Sequence, residues 1–255
     1  MKNNNKKFIK APRYLFRKLN ILDIVSTIDV KTFIDIGCGA GELACTLAEH
    51  GLIGKGLDYS KGAIATANKI KLERDLNNSN INFELQNSSK SEKYKDKYDL
   101  VVCCEVLEHV EDDYSLLSTL VKLSNKYILL SVPAKQRLYD SSDKAVGHFR
   151  RYEKHELLKL LKSQKLEIVS LDNYGYPFTN WVRILRKLSF YIKNYKNSLD
   201  SMDTKSMDSG INPVKLPAFL NSLDTERAIK PFYYISKLFN KTDLGEGYVV
   251  LCRLK

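Results

Sequence analysis

The stretch CCEVLEHV, Cys103 to Val110, places two carboxylates and an imidazole directly after a run that reads as a buried strand. Glu105, Glu108 and His109 stand at i, i+3 and i+4, positions that share one face of a helix with about 3.6 residues per turn. Such a set can move a proton near neutral pH or ligate a divalent ion. A second cluster, His148, Arg150, Arg151 and Tyr152, lies in VGHFRRYEKHEL. Its arginines present planar forks suited to phosphate or carboxylate. The plainer reading is that they pair with acidic residues to fix a loop while His148 caps a carbonyl. The third feature is FIDIGCGAGELA, a strand running to Asp35 and Ile36, then Gly37, Gly39 and Gly41, then a helix. Glycines there let the chain turn sharply and let a ligand approach where a Cβ would collide. Their spacing is GxGxG, and Glu42 stands where a nicotinamide fingerprint needs Gly or Ala.

The elements that must position these groups follow from apolar periodicity. Strands are expected at 32–36, 53–58, 81–85, 100–104, 127–132, 166–171 and 248–254, separated by amphipathic segments such as GELACTLAEHG and EKHELLKLLKSQ. Strands alternating with helices predict an α/β, doubly wound sheet in one domain over residues 1–255. The stretch 177–246 is too long for a simple connection and is expected to be an inserted cap or substrate region. It opens with the helical, basic NWVRILRKLSFYIKNY and continues through the polar, turn-rich NSLDSMDTKSMDSGINPVK. No internal repeat is visible.

Composition bounds the rest. The chain has 255 residues and a net charge of +11, which permits nucleic acid, anionic lipid or a phosphorylated or carboxylated substrate as partner. Many of the lysines sit in Asn/Lys-rich stretches such as MKNNNKKFIK, which weakens that inference. Five cysteines without a CxxC unit fit a reduced, cytoplasmic compartment. No apolar signal region or run of about 18 apolar residues suggests export or a membrane span.

In GKGLDYS, Asp58 ends a strand where a carboxylate can accept both hydroxyls of a ribose. FIDIGCGAGELA, GKGLDYS and YDLVVCCEVLEHV together resemble class I S-adenosylmethionine-dependent methyltransferases, over about residues 32–174 and the final strand. The resemblance implies a seven-stranded Rossmann-like sheet with S-adenosylmethionine as cofactor. It implies Gly37, Gly39 and Gly41 along the amino-acid half of that cofactor, Asp58 on its ribose and Tyr59 beside the adenine. Asp35, Cys38, Ser88 and Cys104 would also face it. Asn87 stands near where the family often carries an Asp that accepts from the adenine amino group.

The pattern Glu-x-x-Glu-His with a distant His resembles metal-using branches, the small-RNA end-methylating enzymes and the O-methyltransferases of ubiquinone biosynthesis. It implies Glu105, Glu108, His109 and His148 around magnesium, manganese or iron, with a metal-free acid–base group as the alternative. GHxRRY is similar to bacterial small-molecule O-methyltransferases of capsule or polysaccharide biosynthesis and natural-product pathways. The expectation is therefore an O-methyltransferase with His148, His109 and Glu108 catalytic. Arg150, Arg151 and Tyr152, helped by Arg183 and Arg186, would hold a small, polar, anionic or sugar-like acceptor. A metal-dependent RNA 2′-O-methyltransferase and a non-catalytic methyltransferase-like partner protein are the alternatives.

Overall fold

The computed structural model describes residues 12–76, 80–85, 96–185 and 225–255. Its helices are α1 (Pro12–Val25), α2 (Glu42–Glu49), α3 (Lys61–Glu73), α4 (Asp113–Leu123), α5 (Ser141–Ala145), α6 (Lys154–Ser163), α7 (178–185) and α8 (Thr225–Lys237). Its strands are β1 (Thr32–Ile36), β2 (Ile53–Asp58), β3 (Ile81–Leu85), β4 (Tyr98–Cys104), β5 (Ser124–Pro133), β6 (Glu167–Tyr174) and β7 (Gly247–Arg253). The expected strands all form, and β4, β5 and β6 run longer than their apolar cores suggested.

The seven strands make one sheet in the order β3-β2-β1-β4-β5-β7-β6. Neighbours from β3 to β5 are parallel, while β7 is antiparallel to both β5 and β6. Side chains alternate across the pleat. Ile34, Val101, Ile128, Leu130 and Val250 face a layer completed by Leu117 and Leu120 of α4 and Leu157 and Leu161 of α6. Phe33, Leu100, Val102, Leu129 and Val249 face the opposite layer, covered by α1 and α2. Burial on both sides explains the nearly continuous apolar runs of β4 and β5.

The chain leaves β1 toward β2 and β3, then returns to β4 on the other side. The crevice at the carboxyl ends of β1 and β4 is thus a topological switch point, where open α/β sheets bind ligands. It brings the 37–41 turn beside residues 105–109. The second of these segments departs from expectation. Glu105 adopts a left-handed φ of 56°, and only Leu107–His109 form a single 3-10 turn. Glu105, Glu108 and His109 therefore do not share a helical face.

Helix α1 was not anticipated. It docks through Phe16, whose ring lies 6.1 Å from Phe178 of α7 and 6.4 Å from Tyr233 of α8. The described parts of the expected cap, α7 and α8, thus rest on α1, while 186–224 lie outside the described residues. Among the described residues no helix is long and apolar enough to cross a membrane. All five cysteines are free.

Because Phe16 is buried where three helices meet, Phe16→Ala should cost about 3–5 kcal/mol by lost transfer energy and an unfilled cavity. Urea unfolding checks this, and an unchanged midpoint would show that α1 is not part of the cooperative core.

Candidate active site

A cavity of about 360 Å³ opens at the switch point, lined by Gly37, Gly39, Asp58, Tyr59, Val106 and His109 among others. Gly39 has a φ of 54°, and a Cβ built there would meet nothing within 4 Å, so open space lies over its backbone. Asp58 accepts from the Gly39 N–H and the Ser60 N–H, both at 2.9 Å, which fixes a carboxylate beside that space. Tyr59 stands at the rim, 82% exposed. Gly37 allows contact between the two loops, since a Cβ would lie 2.3 Å from Val106 Cγ2.

Gly41 has a packing role beside the cofactor role expected of it. Its Cβ would strike Phe83 at 2.6 Å and Ala67 at 2.7 Å, so this glycine lets α2 close onto β3 and α3. Asp35 is buried, and burial pushes its carboxyl up to about 7 against the pull of Arg17 and with help from Asp58. Burial also raises the Cys38 and Cys104 thiols far above their ordinary range, so neither is poised as a nucleophile. Asn87 and Ser88 lie outside the described residues.

Glu105 is drawn away from Glu108. Arg13 Nη2 of α1 donates to its Oε2 at 2.7 Å, Arg17 Nη1 lies 3.2 Å from Oε1, and Ser131 Oγ donates to Oε1 at 2.9 Å. Burial disfavours the charge, but the two arginines and the Ser131 hydroxyl outweigh it and hold the carboxyl well below the usual range. With its oxygens committed to these donors, Glu105 does not take the place expected of it among the metal ligands. Sequence reasoning missed Arg13 and Arg17. Their i, i+4 spacing in PRYLFRKLNILDIV was the available signal.

Glu108, His109 and His148 do come together, each offering a ligand atom within 4.8 Å of the others. Glu108 is fully buried, and neither carboxylate oxygen has a hydrogen-bond partner. Burial first, and the Glu105 charge second, push its pKa well above the ordinary value. His148 Nε2 stands 3.9 Å from Glu108 Oε1, too far for a hydrogen bond. The His109 and His148 rings meet edge to face with centroids 4.6 Å apart. Partial burial and the neighbouring His148 hold the His109 imidazole below its ordinary pKa. An unpartnered buried carboxylate costs several kcal/mol unless it is protonated or meets a cation.

The HFRRY stretch works mainly as a brace. The Phe149 N–H donates to the Glu108 carbonyl at 2.7 Å, pinning the 3-10 turn. Arg150 donates to the Glu111 carbonyl at 2.7 Å and pairs with Asp113 at 2.9 Å, and the Tyr152 hydroxyl donates to Asp113 at 2.8 Å. Arg151 is buried against Asp143, with Nε 3.0 and 2.9 Å from its two oxygens. The expected role of Arg150, Arg151 and Tyr152 in holding substrate thus gives way to the plainer account of the two arginines. A groove of about 530 Å³ beside Arg150, Tyr152 and Lys159 lies on the α4 and α6 side and is separate from the glycine-lined cavity. Arg183 Nε lies 2.7 Å from Glu246 Oε1, and Arg186 is outside the described residues.

Residues 34–126 match the family model described as Methyltransferase domain. A ubiquinone biosynthesis O-methyltransferase of Coxiella burnetii is 30% identical over 125 residues, 48% of this chain and 52% of that protein. The chain thus spans about half the length of these curated relatives. Magnesium protoporphyrin IX methyltransferase from Synechocystis PCC 6803, solved with bound S-adenosylhomocysteine, is 25% identical with a TM-score of 0.53, covering 66% of this chain and 78% of that one. The [4+2]-cyclase SpnF shares the fold at a TM-score of 0.60 over 99% of this chain and 84% of that one, at 14% identity. Residues 34–126 are thus similar to a methyltransferase domain and the chain shares the class I S-adenosylmethionine-dependent methyltransferase fold, while the cyclase shows that this fold alone does not dictate a reaction.

The Asp35 carboxyl gives a signed pH prediction. Its folded-state pKa of about 7 exceeds the unfolded value of about 3.9, so its contribution is complete below the latter and is lost as pH rises through the former. Asp35→Asn cannot ionise. Its stability relative to the parent should climb between about pH 4 and 7 by an amount on the order of a few kcal/mol, then level off. A difference in Tm independent of pH would mean that Asp35 stays charged in the folded chain.

Proposed function

We propose that this chain is an S-adenosylmethionine-dependent O-methyltransferase that binds its cofactor between Gly39 and Asp58 and presents an acceptor hydroxyl at Glu108, His109 and His148. One observation carries the reading: His109 belongs both to the wall of the glycine-lined cavity and to the Glu108–His148 cluster. Cofactor and acid–base groups are therefore adjacent. The fit is chemical as well as spatial, since Gly39 leaves room for a ligand and Asp58 offers carboxylate oxygens to a ribose. The bound cofactor supplies an electrophilic methyl group on a sulfonium. Glu105, held by its two arginines, puts a fixed charge in the wall of the cavity, which Val106 also lines.

The acceptor hydroxyl must be held in line and must lose its proton during or after attack. His148 Nε2 and His109 are the groups placed to take it. A divalent ion, magnesium, manganese or iron, suits the same trio, because it would satisfy the two partnerless oxygens of Glu108. It would supply a lowered hydroxyl pKa and a fixed orientation. The relatives' name, O-methyltransferase, supports oxygen as the methylated atom.

The acceptor is inferred to be a small polar molecule. An anionic or glycan-linked acceptor drew on Arg150 and Arg151, and the pairing of both guanidinium groups within the chain leaves that finer reading without a residue to carry it. Helix α7 and the Arg183–Glu246 pair are proposed to wall the acceptor side.

Two measurements test the proposal. By calorimetry Asp58→Ala should weaken S-adenosylmethionine binding more than tenfold, corresponding to loss of charged hydrogen bonds worth about 1.5–3 kcal/mol. Unchanged affinity would sink the cofactor site. Methyl transfer to a panel of phenolic and sugar hydroxyls should stop on chelation, return with magnesium or manganese, and fall roughly 100-fold or more in Glu108→Gln. If chelation leaves the rate intact while His148→Ala abolishes it, the imidazole acts as a metal-free base.

A further inference from the structure

Asp143 and Arg151, both outside the glycine-lined cavity, aim His148, on the reading of Glu108, His109 and His148 as the acceptor site. His148 leaves a glycine, Gly147, whose φ of 82° suits it to the end of α5. The His148 N–H donates to the Asp143 carbonyl at 2.9 Å, and its own carbonyl accepts from the Tyr139 hydroxyl at 2.7 Å. The backbone is thus held at both ends. The ring is held as well: Nδ1 lies 2.8 Å from Asp143 Oδ1.

Asp143 is itself fixed. It is 2% exposed, and its carboxylate accepts from Arg151 and from the Asp140 N–H. Oδ1 faces His148 Nδ1 and Arg151 Nε, while Oδ2 accepts from Arg151 Nε and from the Asp140 N–H at 2.9 Å. Arg151 cannot swing away, because its side chain is buried and its backbone N–H donates to Gln136 Oε1 at 2.9 Å. A carboxylate whose oxygens accept from these donors has no proton to give the imidazole. Nδ1 must then carry the proton, and Nε2, facing Glu108 and His109, presents its lone pair.

We propose that Arg151, Asp143 and His148 form an orienting chain in which Asp143 is a positioning residue that fixes the Nδ1–H tautomer of His148, leaving Nε2 free as the ligand or base at the acceptor site. Arg151 acts one step further out, by holding Asp143 in register. This gives the second arginine of GHFRRY a function without contact to substrate. It also accounts for a charged pair buried between the short helix α5 and the segment that precedes α6, where a pairing of purely structural value would gain little over apolar residues. Carboxylates that hold the distal nitrogen of an active imidazole set both its tautomer and its basicity.

Asp143→Asn separates orientation from packing, because it preserves shape while removing one acceptor oxygen. The remaining oxygen satisfies Arg151 and the Asp140 N–H together, which turns the amide NH2 toward His148 Nδ1. The imidazole then accommodates by moving its proton to Nε2, toward the cluster. Two-bond ¹H–¹⁵N spectra of the ¹⁵N-labelled full chain, free of metal in mildly alkaline buffer, read the tautomer directly, with His148→Ala assigning the signals. The parent should show Nδ1–H and Asp143→Asn should show Nε2–H.

Titration with Mn²⁺ followed by electron paramagnetic resonance should find affinity in Asp143→Asn reduced about 10- to 100-fold. An Nε2–H tautomer in the parent, or an unshifted tautomer in a folded Asp143→Asn, overturns the proposal. Should that variant not fold, the parent spectrum alone decides. If the parent binds no Mn²⁺ and His148→Ala leaves methyl transfer untouched, the acceptor-site reading falls, while the tautomer spectra still judge the orienting chain on their own.

Discussion

The site is organised around one requirement: a negative charge taken out of water at the carboxyl end of β4 must be compensated. Glu105 is that charge, and Arg13, Arg17 and Ser131 compensate it. The consequences spread outward. α1 must bring its N-terminal half to the carboxyl end of β4 so that both arginines reach, and Phe16, packed against Phe178 and Tyr233, helps to hold it there. Glu105 must leave the strand at a left-handed φ, an unfavourable conformation for a residue with a Cβ, which a buried ion pair can outweigh. Because Glu105 turns toward α1, the chain emerges with Glu108 on the other side, buried near the Glu105 charge and without a counter-charge of its own.

The two carboxylates thus play opposite parts although three residues separate them. Glu105 is held ionised by its arginines, whereas Glu108 is pushed toward neutrality by burial and by Glu105 itself. A pair of acids driven apart in this way is a recurring sign of assigned roles in a site. The first serves as fixed charge beside the glycine-lined cavity. The second is the one whose state a cation or a proton can change.

Much of the fold was legible in the sequence because it depends on local period. The runs 32–36, 53–58 and 81–85 carry apolar residues at strand spacing between turn signals, and the strands form with the expected bounds. The GxGxG turn and Asp58 were legible for the same reason: both sit at strand ends whose positions are set by the period. What escaped was long-range. Spacing alone suggested a helical face for Glu105, Glu108 and His109, but the conformation at Glu105 accompanies an ion pair to a residue 92 positions away. The packing role of Gly41 escaped for the same reason, since only the approach of Phe83 shows it. Arg151 misled through its nearness to His148, since nothing in RRY tells which arginine turns inward to an acid eight residues earlier.

The placement of β7 has a consequence for assembly of the fold. β7 lies between β5 and β6, pairing with both along most of its length. Until residues 247–253 arrive, β5 keeps an unpaired edge and β6 has no partner in the sheet, and Leu129, Leu130 and Val132 have no neighbouring strand on that side. Pairing across so large a sequence separation carries a loop-closure cost and slows folding. The nascent chain would therefore pass through an interval with unpaired strand edges, a state prone to mispairing with other chains. The last strand acts like a keystone, and replacements that weaken Val249, Val250 or Leu251 should show themselves first as lost yield during synthesis.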